Sequence, residues 1–287
     1  MADTVVIAER RPSWFAGFGR WFRSDLRGAL SLSFLVILIL ISVLGPWISP
    51  YSPTQQDLDA ALSPMTAKHW LGADDLGRDT LSRLIYGGMA SLYASFLAVA
   101  IAVAIGVPVG VLAGYLGGWV DEAISRVVDS FLSFPAIVLA IAVTGALGIG
   151  LTNGMISVGI VFAPQLARLV RARTLVVRNE LYVDAARCFG VTTGRILWRH
   201  VLPNAIQPVI VQVTLLLAAA LLAEASLSFL GLGIQPPDPS WGAMLARAYQ
   251  NMEIAPSRCI RRDLRFCSRR SRSTRWANRC ASRSIRP

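Results

Sequence analysis

The chain has 287 residues, 54% of them hydrophobic and 16% charged, with a mean hydropathy of +0.52. Soluble globular domains carry about 25% charged residues and about 45–50% apolar ones, so this composition excludes an ordinary soluble enzyme and points to an integral membrane protein. The net charge of +11 is local: residues 257–287 hold eleven arginines against one acid, Asp263, a net of +10, which leaves 11 − 10 = +1 for the rest. The four cysteines (Cys188, Cys259, Cys267, Cys280) have no CxxC spacing, and the two histidines, His69 and His200, stand far apart. Neither a metal site nor a disulfide framework is indicated.

In chain order, residues 1–28 are polar, amphipathic and basic. Ala29–Ile48 is then free of charge for twenty residues. A bilayer core about 30 Å thick needs roughly 20 helical residues, so this stretch reads as a first span, retained because no small-residue cleavage site follows it. Residues 29–88 comprise this span and a polar loop, 50–83. The second span is Leu92–Tyr115. Its Gly106, Gly110 and Gly114, four residues apart, either admit a closely packed neighbouring helix or reflect the general abundance of glycine in membrane helices. A third span is predicted over Val127–Leu147. A turn at Gly148–Gly154 and a fourth span, Met155–Val170, follow. The fifth is Asn204–Leu230, ending in the proline-rich loop 231–241. Pro108, Pro135 and Pro164 fall within spans and act there as hinges or as static kinks.

Basic residues set the orientation. Five arginines precede the first span and seven lie between residues 168 and 200, whereas the 148–154 and 231–241 loops have none. The N-terminus and the 168–200 segment are therefore expected in the cytoplasm, and the 50–83 loop outside. After five spans the 257–287 tail would fall outside, against that rule. Such a basic tail can bind nucleic acid or anionic lipid. Its abrupt Arg/Ser/Cys richness instead suggests a shifted reading frame near codon 257, the alternative being a genuine adapted tail; no nucleic-acid partner is expected.

The segment between the fourth and fifth spans reads Asp184-Ala185-Ala186-Arg187-Cys188-Phe189-Gly190, with Leu202 and Pro203 further on. Helix, glycine, second helix and proline make either a compact docking plug or an ordinary amphipathic connector. Gly190 permits a sharp turn, the two alanines leave room for a partner surface, and Pro203 suits the first turn of the fifth span. Glu224 is the sole charge between Arg199 and Asp238. An intramembrane carboxylate is costly and marks a functional candidate, here a gate or a helix–helix contact. Arg78 and Asp79, beside Asp74 and Asp75, are candidate outer-loop contacts for a docked partner, or members of local salt bridges. A phosphate-binding loop needs GxxxxGK[ST]. The sole lysine, Lys68, has no such frame, and HExxH and GxSxG are absent. No catalytic residue, cofactor or metal is expected.

The stretch YVDAARCFGVTTGRILWRHVLPN closely resembles the EAA loop of ABC importer permeases, with Asp184 at the pattern's glutamate. HWLGADDLGRDTLSRLIYGG, GYLGGWVDEAISRVVDSFLSFP and EASLSFLGLGIQPPDPSWGAML look like the peptide/nickel branch, "C"-type. The resemblance covers roughly residues 28–256 and implies an all-α, polytopic type I ABC importer fold. Within it the permease core is 89–256 and the coupling loop 182–204. Carried over by position, Asp184, Ala185, Ala186, Gly190, Leu202 and Pro203 would couple the chain to an ATPase. The implied partners are a sister permease, two cytoplasmic ATPase subunits, an extracytoplasmic substrate-binding protein and the lipid bilayer of a bacterial inner membrane. The implied substrate is a dipeptide or oligopeptide, or alternatively nickel. Members of this branch have a sixth span after WGAML, which 257–287 does not supply, so a non-transporting truncated scaffold is a further alternative. An ion-driven secondary transporter would need more intramembrane ionisable groups and repeats than Glu224 alone.

Overall fold

The computed structural model of the protein describes residues 26–252. The expectations for most of the basic N-terminal segment and for the 257–287 tail fall outside the described residues. Among the described residues the only extended pairing is an isolated bridge between Ala73 and Asp79; everything else regular is helical.

Helix α1 (Leu26–Val43) is followed by a single turn, Gly45–Ile48, with Pro46 in its first turn. Helix α2 (Thr80–Leu116) starts well before the expected Leu92 because Asp79 caps it. The Asp79 carboxylate accepts from the Ser82 amide at 2.8 Å and from the Ser82 hydroxyl at 2.7 Å, occupying an N-terminal donor that would otherwise go unpaired. At 37 residues and a rise of about 1.5 Å each, α2 is roughly 55 Å long, so it projects beyond a bilayer core. It stops at Gly117, whose φ of +68° is left-handed.

The expected third span over Val127–Leu147 is not one helix. The structure has α3 (Gly118–Leu132) and α4 (Ala136–Leu147), bent by 94° to each other. Pro135 lies at the break; it has no N–H to continue a helical ladder. The Ser133 hydroxyl donates to the Ser130 carbonyl at 2.7 Å and competes locally with the backbone. Helix α3 is held along α5 (Leu151–Val177) by ion pairs, Asp121 with Arg171 and Asp129 with Arg168. Helices α6 (Leu181–Cys188), α7 (Gln207–Phe229) and α8 (Trp241–Met252) follow within the described residues. Between α6 and α7 run the short helix Thr193–Ile196, a π-turn Leu197–Val201 and the turn Leu202–Ala205.

Three of these helices, α2, α5 and α7, are long and apolar enough to cross a bilayer, or four spans if α3 and α4 count as one broken span. The expected five are not reached on length and apolarity alone, because the described apolar stretch of α1, Ala29–Val43, is short. The core lies among α2, α5 and α7, around Ala94, Ala98, Met155, Val158, Leu166, Val170, Leu216 and Leu227.

Helices α2 and α5 run parallel. Gly106 faces the carbonyl of Ala163, Gly110 that of Ala167, and Gly114 packs on Thr174. A Cβ on Gly106, Gly110 or Gly114 would sit 2.7, 2.5 or 2.7 Å from its nearest neighbour. The glycine spacing therefore serves a close helix pair and is not incidental composition. From the other side, a Cβ on Gly159 of α5 would sit 2.6 Å from the Ala98 carbonyl oxygen of α2. Helix α7 runs antiparallel to α2, since Ser91 meets Glu224 near the start of one and the end of the other.

The two ends of the bundle differ. One carries the 49–79 loop, the 230–240 loop and α8. Arg83 joins the two loops, donating to the carbonyls of Pro53 at 2.8 Å and Pro237 at 3.2 Å. The other end carries the compact segment 178–205.

Candidate functional site

The 178–205 segment is a small folded unit. Val177, Val183, Ala186, Ile196 and Val201 form its own buried cluster, with Tyr115, Val191 and Leu197 against it. Its first helix, α6, ends on Gly190 at φ +73°. There the Gly190 amide donates to the Arg187 carbonyl at 2.9 Å and the Val191 amide to that of Ala186 at 3.1 Å. That is a Schellman termination, which places a left-handed residue after the cap. The space around Gly190 is open, so glycine is required there by the backbone angle alone.

The unit is tied to the bundle. Arg178 donates through Nη1 to the carbonyls of Gly114 at 3.2 Å and Tyr115 at 3.1 Å, the last turn of α2. The Arg187 guanidinium stands 5.4 Å from the centre of the Tyr115 ring, within cation–π range. Tyr115 beside it holds the Arg187 pKa above the ordinary guanidinium value. Asn204 donates to the Tyr182 hydroxyl at 3.0 Å and to the His200 carbonyl at 2.7 Å, which closes the segment's two halves on each other.

Of the residues singled out in the sequence, Asp184 is exposed and paired with Arg187 at 2.9 Å. Ala185 faces solvent, whereas Ala186 is inside the unit's own core, so the two small residues serve different purposes. Leu202 is half-buried and Pro203 exposed, in the first turn of Leu202–Ala205 and not of α7 itself; Pro208 takes that position in α7. What the motif did not indicate is the apolar surface beside it. Leu181, Phe189 and Trp198 are 85%, 88% and 76% exposed. Three large exposed apolar side chains on one small unit make it a candidate interaction surface. Nothing in the sequence separated them from Val183, Ile196 and Val201 of the same segment, which are buried.

Arg78 and Asp79 do not stand in solvent at the opposite end. Both are buried. Arg78 donates through Nε to Asp74 at 2.7 Å, and Asp79 accepts a contact from His69 Nδ1 at 3.0 Å besides capping α2. These groups organise the 49–79 loop, and a docked partner would meet the loop's surface before meeting them.

Glu224 is 2% exposed. It accepts hydrogen bonds from the hydroxyls of Ser228 at 3.0 Å, Ser240 at 2.8 Å and Ser91 at 3.3 Å. The serines come from α7, the turn before α8 and α2, and no feature of the sequence singled them out as a set. Among the described residues no cluster of three His, Cys, Asp or Glu side chains is placed to hold a metal ion.

Long apolar helices packed around glycines, with a compact unit anchored between two of them, define a helical membrane protein. Residues 106–256 match the family described as the binding-protein-dependent transport system inner membrane component. Residues 13–64 match the N-terminal transmembrane domain of oligopeptide transport permease C. The chain belongs to this family: it is a peptide-type ABC importer permease. Among its relatives is the glutathione transport system permease protein GsiD of Shigella flexneri serotype 5b, 43% identical over 240 residues, 83% of this chain and 79% of that protein. That of Salmonella paratyphi A is 41% identical over 256 residues, 89% of this chain and 84% of the relative. The inward-facing MetNI methionine ABC transporter shares the fold. One crystal form aligns over 71% of this chain and 97% of its own with a TM-score of 0.50 and 21% identity. Another aligns over 61% and 82% with a TM-score of 0.51 and 24% identity. The chain is thus a membrane-embedded, multi-pass transport subunit, whose family implies ATPase and substrate-binding-protein partners.

Proposed function

We propose that this chain moves short peptides of the glutathione class inward across a bacterial inner membrane, as one of two permease subunits, and that segment 182–204 is its seat on a cytoplasmic ATPase. The observation that carries this is the exposure of Leu181, Phe189 and Trp198 on a unit fastened to the ends of α2 and α5. A force applied there reaches both helices, because Arg178 and Arg187 bind the last turn of α2 and residue 178 directly follows α5. Asp184, Ala185, Ala186, Gly190, Leu202 and Pro203 shape that unit. The relatives named for glutathione, a tripeptide, support the substrate class.

In this proposal the chain crosses the membrane five times, through α1, α2, the bent α3–α4 pair, α5 and α7. The N-terminus and the 178–205 end face the cytoplasm; the 49–79 loop and α8 face outward. Arginine-rich 168–200 and arginine-free 231–241 support that polarity.

The test is a pull-down from membranes with partners identified by mass spectrometry, for wild type and Gly190→Arg, joined to uptake assays in a strain lacking the native gene. The expected result is an ATPase recovered with wild type and lost with Gly190→Arg, and labelled reduced glutathione taken up only when the chain is present. Uptake of Ni²⁺ in place of peptide would overturn the substrate. An ATPase bound equally by both forms would overturn the docking segment.

A further inference from the structure

Helix α8 is short and amphipathic, and its start is hydrogen-bonded to both α2 and α7. Its main-chain Trp241 amide donates to the Ser91 hydroxyl of α2 at 3.0 Å. The Trp241 indole N–H donates to the Leu84 carbonyl at 2.9 Å. Ser240 caps α8 by accepting from the Ala243 amide at 3.1 Å, and donates to Glu224 of α7. The carboxylate sits at the centre: Oε1 accepts from Ser228 and Ser240, and Oε2 from Ser91, which itself accepts from α8.

Three glycines let these elements approach this closely. A Cβ on Gly242 would lie 2.8 Å from the Ala225 Cα and 2.9 Å from Glu224 Oε1. A Cβ on Gly87 would lie 3.2 Å from the Ser240 Cα, and one on Gly88 2.4 Å from the Ser42 hydroxyl and 3.0 Å from the Trp241 ring. The junction is closed to water, since Ser91, Ser240 and Glu224 are all buried.

A buried carboxylate is tolerable only while its acceptors are filled, and removing its donors costs several kcal/mol. We propose that Glu224 is a positioning residue that pins α8 to α2 and α7, so that movement of those two helices is delivered at the outer mouth as movement of α8. This rests on the proposed function, in which α2 is driven from the 182–204 end. The carboxylate takes no part in proton transfer or in holding substrate; its role is to make the outer helix part of the moving body. The geometry of the pin requires an acceptor on both oxygens, which glutamine lacks.

The experiment uses the full complex in proteoliposomes, in a background with Cys188, Cys259, Cys267 and Cys280 changed to serine. Leu245→Cys, on the exposed side of α8, reports through its labelling rate with an impermeant maleimide, with and without ATP and vanadate. The pin predicts a rate ratio between the two states of about fivefold or more, the scale of an ordinary coupling energy. In Glu224→Ala the ratio falls to near one, and ATPase co-purification is retained. Glu224→Gln and Ser240→Ala, which each remove part of the pin, give intermediate ratios, and they carry the test if Glu224→Ala does not accumulate. A wild-type ratio of one with the ATPase present, or a wild-type ratio preserved in the variants, overturns the pin. Failure to recover an ATPase with wild type overturns the proposed function instead, and the two failures are told apart by that co-purification.

Discussion

Gly110→Ala is the most direct perturbation of the α2–α5 pair. The added methyl would lie 2.5 Å from the Ala167 carbonyl oxygen and 2.7 Å from the Val170 Cβ. The first of these is backbone inside a helix, so it cannot rotate away; the two helix axes must separate. Overpacking of a close-packed site costs about 1–3 kcal/mol. Taking about 2 kcal/mol, and about 2–4 °C per kcal/mol for a chain of this size, the melting temperature of the detergent-extracted protein falls by about 4–8 °C. Gly145→Ala is the control. It changes a glycine to alanine in α4, where a Cβ meets open space, and it gains about 0.5–1 kcal/mol from lower backbone entropy in the unfolded chain. Thermal melts followed by size-exclusion recovery of the two variants and wild type decide the matter. If Gly110→Ala melts at or above Gly145→Ala, the parallel glycine-packed pair is wrong.

Three further outcomes are expected. Asp79→Ala removes the α2 cap and leaves the Ser82 hydroxyl and His69 Nδ1 without their acceptor; the loss is about 3 kcal/mol, read as a lower melting temperature, and Asp79→Asn recovers part of it. Phe189→Ser with Trp198→Ser leaves the melting temperature nearly unchanged, because both side chains are already in water, while ATPase recovery in the pull-down drops sharply. Lys68, 2.8 Å from Asp57, holds that carboxyl below its ordinary value. The pair's contribution is therefore present above the ordinary carboxylate pKa and fades as pH falls through the lowered one. Lys68→Met returns Asp57 to the ordinary range in an NMR titration, with little effect on stability at neutral pH, since both groups are solvated.

The signals that were legible in the sequence are those with a one-to-one physical cause. Gly190 was readable because a helix followed by a second helix needs a left-handed residue between them, and it stands at φ +73°. Glu224 was readable as an isolated intramembrane charge. The glycine repeat in α2 carried two meanings, and only the position of α5 decided between them. Pro135 was noted within an expected span, but a proline in a membrane helix is often absorbed by a kink; the 94° break depends on where α3 finds its partners on α5. Arg78 and Asp79 read as loop surface because a charged loop is usually solvated, and only the packed loop shows them turned inward.

Composition and charge order alone determined that this is an apolar, helical membrane protein. The helix–glycine–helix order of the 182–204 segment was likewise legible, since both are properties of consecutive residues. The tertiary structure alone decided which helices are neighbours, which alanine of the motif is internal, and that Ser91, Ser228 and Ser240 meet on one carboxylate. Those facts join residues up to 157 positions apart along the chain, Leu84 to Trp241, and no local pattern records a contact made by the fold.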